Sequence, residues 1–263
     1  MDGLVLVDKP PGKTSHDLTL ATRRLLGVRK AGHAGTLDPF ATGLLLVLVG
    51  RARRAQRFLM ALPKQYVTIA RLGALSTTGD PEGEITYTGR LPAVDATLPT
   101  GVIVQRPPIY SAVRVQGRKA YERARDGEQF EVPEREVNVY RFEQRWRRDD
   151  RAEFLIECSA GTYVRSLIAE LGDGYCEALR RTRIGPFAVE DADPERVVPL
   201  ERALGFMPRI EIDADAAWRA GHGQAVAGAS DAEHVLLADA DGPVAIAEPR
   251  AGGLLKPVVG FRG

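Results

Sequence analysis

Cysteine is scarce: two in 263 residues, Cys158 and Cys176, in unrelated surroundings, which excludes a disulfide framework and a cysteine metal knuckle. Both read as reduced structural thiols. The four histidines, His16, His33, His222 and His234, show neither H-x-x-x-H nor paired Cys/His spacing, so no metal is expected. No run approaches the roughly 20 apolar residues that a bilayer crossing needs. Met1 leads into "GLVLVDKP" without a basic segment or a cleavage site, so a cytoplasmic protein without a membrane partner is expected. "PPGKTS" at 10–15 ends like a P-loop, but Val7 stands where the first glycine belongs, and Pro10 and Pro11 lack the N–H groups that cradle phosphate. The stretch reads instead as a Pro/Gly-shaped loop setting Lys9 and Lys13 beside an anionic ligand. Ser159 in "CSAG" lacks the G-x-S-x-G elbow of a serine nucleophile.

What the chain does have is an apolar content of 44%, enough to bury a substantial core, and a net charge of +1 that is unevenly spread. Residues 1–60 carry ten Lys/Arg against four Asp/Glu, and residues 208–263 carry five against eight. Residues 106–148 carry eleven Arg/Lys against seven acids, interleaved with Tyr110, Tyr121, Tyr140 and Trp146. Arginine forks and aromatic faces suit phosphates and unstacked bases, but charge alone reads equally as the solvated surface of an Arg-rich protein, so both readings stay open here.

Periodicity predicts alternating helices and many strands. "GLVLVD" and "GLLLVLVG" read as buried strands, and "SHDLTLATRRLLG" as a helix capped near Thr14 or Ser15, with Leu18, Ala21, Leu25 and Leu26 on one face. A helix with Ala55, Phe58, Leu59 and Leu62 follows. "QYVTIARLG", "EITYTG" and "PIYSAVRVQG" continue the sheet, "RKAYERARDG" is a short helix, and "REVNVYRFEQRW" and "AEFLIECSAG" are alternating strands. "TYVRSLIAELG" is a helix that Thr162 can cap. From about residue 209 the texture becomes short, Gly/Ala-rich and acidic, with D-G and G-G turns, which predicts a second, β-rich module at 209–263 after a larger domain at 1–208.

One acid is placed unusually. In "AGHAGTLDPFATG", Asp38 sits among small, apolar and turn-forming residues; Gly35 permits an uncommon backbone turn and Pro39 pushes Asp38 toward extended geometry. Alone, it reads as a turn or capping aspartate. It does not stand alone, for "GHAGTLDPFATGLLLVLVG" resembles the active-site signature of the TruB-type tRNA pseudouridine synthases. "LVDKPPGKTSHD", "KQYVTIARLG" with "TTGDPEG", "QRPPIYSAVRVQGRKAYERARDG", "CSAGTYVRSLIAELG" and "LRRTRIGPF" match that family's other segments in order over residues 4–187.

The resemblance implies an α+β fold: a mixed, largely antiparallel sheet of the pseudouridine synthase type, with helices, an RNA-gripping insertion, and a small β-rich PUA-like C-terminal module. It implies isomerisation of uridine-55 in the T loop of tRNA, with the T-arm stem-loop as partner. Asp38 is then catalytic, Arg165 in "GTYVR" orients it, and Tyr66 in "KQY" stacks on the flipped base. Tyr163 and Leu179 line the uracil pocket, and His33 fills the space vacated in the RNA loop. Lys9 and Arg114 are further substrate-binding candidates, Arg114 standing where that family carries lysine. No cofactor is expected, since the isomerisation conserves every atom. Asp38 could attack C6 of uracil or C1′ of the sugar, or remove the 2′ proton; the residues do not choose among these. A monomer without an obligatory protein partner is expected. The alternatives are a non-catalytic tRNA-binding folding factor and a synthase acting on another RNA.

Overall fold

The computed structural model describes residues 1–111 and 113–262. Its centre is a pair of strands apolar on both faces: β1 (Gly3–Lys9), followed by helix α1 (Ser15–Leu25) and the short β2 (Ala31–His33), then β3 (Thr42–Val49). β1 and β3 run antiparallel in unbroken register from Gly3 opposite Val49 to Lys9 opposite Gly43. Leu4, Leu6, Leu44, Leu46 and Leu48 point to one layer with Leu59 and Phe187; Val5, Val7, Leu45, Val47 and Val49 point to the other, under Leu18, Leu26 and Val28. Each such buried side chain contributes about 1.5–3 kcal/mol, which fixes this pair as the keel of the sheet.

A 3₁₀ turn over Gly50–Ala55 passes into α2 (Gln56–Ala61) and then β4 (Lys64–Leu72), β5 (Ala74–Ser76), β6 (Ile85–Tyr87) and β7 (Gly101–Gln105). A small hairpin of β8 (Arg114–Val115) and β9 (Arg118–Lys119) with α3 (Ala120–Arg125) forms the insertion. The chain continues through β10 (Arg135–Arg148), β11 (Arg151–Cys158), α4 (Val164–Glu170), β12 (Gly174–Ile184), β13 (Phe187–Ala188), β14 (Val198–Pro199) and α5 (Leu200–Ala203). The main sheet has the order β14-β1-β3-β12-β4-β11-β10-β7, with β2 beside β3 and β13 beside β12. Among the described residues of this sheet, only the pairing of β12 with β3 is parallel. It is also close: a Cβ on Gly43 (φ +103°) would lie 2.2 Å from the Arg181 carbonyl oxygen.

The second sheet, order β15-β17-β18-β19-β16, is built from β15 (Arg209–Glu211), β16 (Val226–Ala227), β17 (Val235–Asp239), β18 (Gly242–Arg250) and β19 (Leu254–Gly260). Helix α6 (Ala214–Gly221), capped by Asp213 accepting from the Ala216 N–H at 2.8 Å, packs on it. Phe58 and Ala55 meet Leu204, Met207, Leu236, Ile246 and Phe261 in a core shared by the two sheets. Arg51 and Arg54 fasten the same junction by donating to the Phe261 and Gly260 carbonyls at 2.7 and 2.6 Å.

Four expectations are corrected. "EITYTG" and "PIYSAVRVQG" do not extend the main sheet: Ile85–Tyr87 pairs with β5 in a two-stranded sheet of its own, and among the described residues of the second stretch only Arg114–Val115 is extended, pairing within the insertion. α1 buries Ser15, Thr19 and Thr22, while Leu25 is 53% exposed. The hydroxyls tolerate burial because they are bonded, Thr19 Oγ1 to the Ser15 carbonyl at 2.8 Å and Ser15 Oγ with both polar backbone atoms of Leu37. Thr162 does not cap α4; its hydroxyl turns back to the Ser159 carbonyl at 3.0 Å. "GYCEALRRTRI", for which periodicity predicts no element, is β12, the strand joining both halves of the sheet.

Candidate active site

The Asp38 loop is pinned from three sides. Beneath it Lys9, wholly buried, donates to the carbonyls of Pro10, Lys13 and Pro39 at 3.1, 2.7 and 3.0 Å. Ser15 at the start of α1 holds Leu37. Arg181 on β12, 1% exposed, donates to the carbonyls of Leu44, Thr36 and Gly35 at 2.7, 3.4 and 3.2 Å. Gly35 adopts φ +98°, a left-handed turn that aims its carbonyl at that guanidinium. With Leu37 and Ala41 in the core on either side, Asp38 is projected from a loop without slack.

Arg165, on the first turn of α4 and 3% exposed, meets it. Its Nε lies 3.0 Å from Asp38 Oδ2, an ion pair whose N–H is not aligned on the oxygen as a hydrogen bond. Nη1 donates to the Thr78 carbonyl at 2.6 Å and Asp80 Oδ2 at 3.0 Å, and Nη2 to the Tyr110 carbonyl at 2.8 Å. One guanidinium thus sits between two carboxylates of unequal exposure, Asp80 at 5% and Asp38 at 28%. Asp80 is closed off further by the Thr78 hydroxyl and the Glu82 N–H, which donate to it at 2.5 and 3.1 Å. Asp38 is the open member. Burial raises its pKa above the ordinary aspartate value, opposed first by Arg165, with Asp80 raising it and Lys9 and Arg181 lowering it.

Of the residues named from the sequence, Asp38 and Arg165 are in contact. Tyr66 on β4 packs on the cluster that holds Leu37, Ala41 and Leu179, and burial raises its phenol pKa, keeping it neutral. Leu179, 7% exposed, stands opposite Thr68 and lines a cleft of about 540 Å³ with Pro11, Phe40, Thr42 and Pro81. Asp38 itself is not on its wall. Tyr163 is the N-cap residue of α4, with the Arg135 guanidinium 5.0 Å over its ring. His33 on β2 has a buried Nδ1 without a partner among the described residues, and burial and Arg181 lower its pKa, leaving it neutral. Arg114 lies outside this cluster, exposed on β8 and donating to the Gly117 carbonyl at 2.9 Å.

Lys9 is a correction: its three protons are spent on carbonyls, so it ties the 10–13 loop to the Asp38 loop and faces no ligand. Asp80 and Arg181 were not singled out from the sequence. Asp80 carried a signal, since "GDP" repeats the aspartate-before-proline arrangement of "LDP". Arg181, one of three arginines in "LRRTR", carried none.

The sequence model described as TruB family pseudouridylate synthase (N terminal domain) matches residues 23–164. The chain is 42% identical to tRNA pseudouridine synthase B of Thermobifida fusca (strain YX), over all of this chain and 99% of that protein. To the synthase of the same name in Geobacillus kaustophilus it is 41% identical, over 81% of this chain and 86% of the other. Among solved structures it resembles a chain of a Cbf5-Nop10-Gar1 complex, with a TM-score of 0.71 and 27% identity over 95% of this chain and 79% of that one. The chain belongs to the TruB family of pseudouridine synthases.

Proposed function

We propose that the protein converts uridine-55 in the T loop of tRNA to pseudouridine, with Asp38 as the reacting group. The observation that carries this is the Asp38–Arg165 pair: an open carboxylate on a rigid G-T-L-D-P loop, held by a guanidinium that is buried and anchored at three other points. In the reaction the N1–C1′ bond breaks, uracil turns, and C5 bonds to C1′; the C5 proton leaves to solvent and N1 acquires one. Every heavy atom is retained, so the chemistry asks for no redox partner. The ionised carboxylate either attacks C6 or C1′, or takes the 2′ proton. In each case Arg165 keeps it in one orientation.

A uridine stacked in folded RNA presents neither C6 nor C1′, so the base must be flipped out at a cost of a few kcal/mol. Stacking on Tyr66 returns about 1–3 kcal/mol, and phosphate contacts from the insertion and the basic N-terminal third supply the rest. Tyr163 and Leu179 border the uracil, and His33 fills the gap left in the loop. We read residues 1–208 as the catalytic domain and 209–263 as a PUA-like RNA-binding module. The protein acts in the cytoplasm, as a monomer, without an obligatory protein partner; no helix among the described residues is long and apolar enough to cross a membrane.

The test is mapping of pseudouridine in an unmodified tRNA transcript before and after treatment with the purified protein. Modification at position 55, reproduced on a bare T-arm stem-loop, is the expected result. Binding without modification would identify a folding factor instead, and modification of another RNA alone would move the substrate.

A further inference from the structure

The segment leading into the insertion runs along the first turn of α4 and is fastened to it at three points. Gln105, the last residue of β7 and fully buried, presents its side-chain amide to the main chain of Tyr163. The Tyr163 N–H donates to Gln105 Oε1 at 2.8 Å, and Gln105 Nε2 donates to the Tyr163 carbonyl at 3.1 Å. One residue on, the Arg106 carbonyl accepts from the Ser166 hydroxyl at 3.0 Å. The Tyr110 carbonyl then accepts from Arg165 Nη2 at 2.8 Å. Arg135, opposite Gln105 in the β7–β10 ladder, covers the Tyr163 ring.

The amide clamp does a job that α4 cannot do for itself. First-turn N–H groups of a helix have no intrahelical acceptor, and Tyr163 receives one from a side chain on another strand. The same stretch of backbone that anchors the helix start also supplies the carbonyl on which Arg165 rests. A displacement of the insertion's root therefore moves both the helix and the guanidinium, and misplacement by about 1 Å can cost on the order of a hundredfold in rate.

We infer that Gln105 is a positioning residue for the isomerisation: it locks the root of the insertion to the start of α4 and thereby sets the Arg165 guanidinium that holds Asp38. This rests on Asp38 being the reacting group. Docking of the insertion on RNA is then felt at Arg165 through the backbone, without any contact between Gln105 and substrate.

The experiment is single-turnover tritium release from a T-arm stem-loop carrying 5-tritiated uridine, with RNA affinity measured in parallel. Gln105→Ala is expected to slow release at least about tenfold while Kd stays within about twofold. The acid limb of its rate–pH profile shifts upward, because Arg165, which lowers the Asp38 pKa, is held less firmly against it, while the influence of Asp80, Lys9 and Arg181 is unchanged. Ser166→Ala, which removes one fastening and leaves the fold intact, slows release about twofold to threefold. In an Arg165→Lys background, Gln105→Ala adds less than about twofold. Full additivity there, an unmoved acid limb, or rate and affinity falling together would overturn the inference. No turnover by the unmodified protein would overturn the functional reading itself, and this inference with it.

Discussion

The arginines around Asp38 and those of the insertion are the same residue used in two ways. Arg165 and Arg181 are almost fully buried, and apart from Arg165 Nε, which faces Asp38 as an ion pair only, the donors named above are spent on carbonyls and a carboxylate fixed by the fold. Arg118 in the insertion, half exposed, pairs with Asp126 and Glu128. A buried guanidinium missing any partner is costly, so its partners and its geometry specify each other. An exposed pair is weak and screened by salt, so it is easily exchanged for a phosphate. The charges are held rigidly around Asp38, the proposed reacting group, and loosely in the insertion proposed to meet RNA.

That contrast predicts a ranking. Arg165→Lys, which keeps the charge but loses the fork, should lower the single-turnover rate about a thousandfold with little loss of affinity. An unchanged rate would mean that the guanidinium aims nothing. Arg181→Met strips three buried carbonyls of their donors and should cost about 3 kcal/mol of stability, read from denaturant unfolding. Asp80→Asn keeps the shape of the turn but weakens one anchor of Arg165, and should slow release about tenfold with the fold preserved. The wild-type rate should fall as pH drops, with a midpoint above the ordinary aspartate value, because burial raises the Asp38 pKa and the proposed reaction uses its ionised form. Arg118→Ala should leave the melting temperature unchanged and weaken RNA binding slightly, more so at low salt than at high.

The same division decides what could be read from the sequence. β1, β3, β4, β10 and β11 were legible because their apolar residues follow a strand pattern, and Asp38 because its turn residues and the five other segments that match in order carry a pattern of their own. β12 was not, since register shifts between Cys176 and Ala178 and between Arg181 and Arg183 break the period of two that marks a strand. Lys9 and Arg181 were misread or passed over for one reason: a charged residue is expected at the surface, and only the fold shows that backbone carbonyls satisfy it. The clamp at Gln105 joins residues 58 apart in sequence through main-chain atoms, which no side-chain pattern encodes.

The most direct test of the central claim compares wild-type protein with Asp38→Asn in tritium release from a T-arm stem-loop under single-turnover conditions, with binding measured on the same RNA. Asparagine keeps the shape and removes the charge, so release should fall to background while the RNA still binds. Equal release by both proteins would contradict a reacting carboxylate at residue 38.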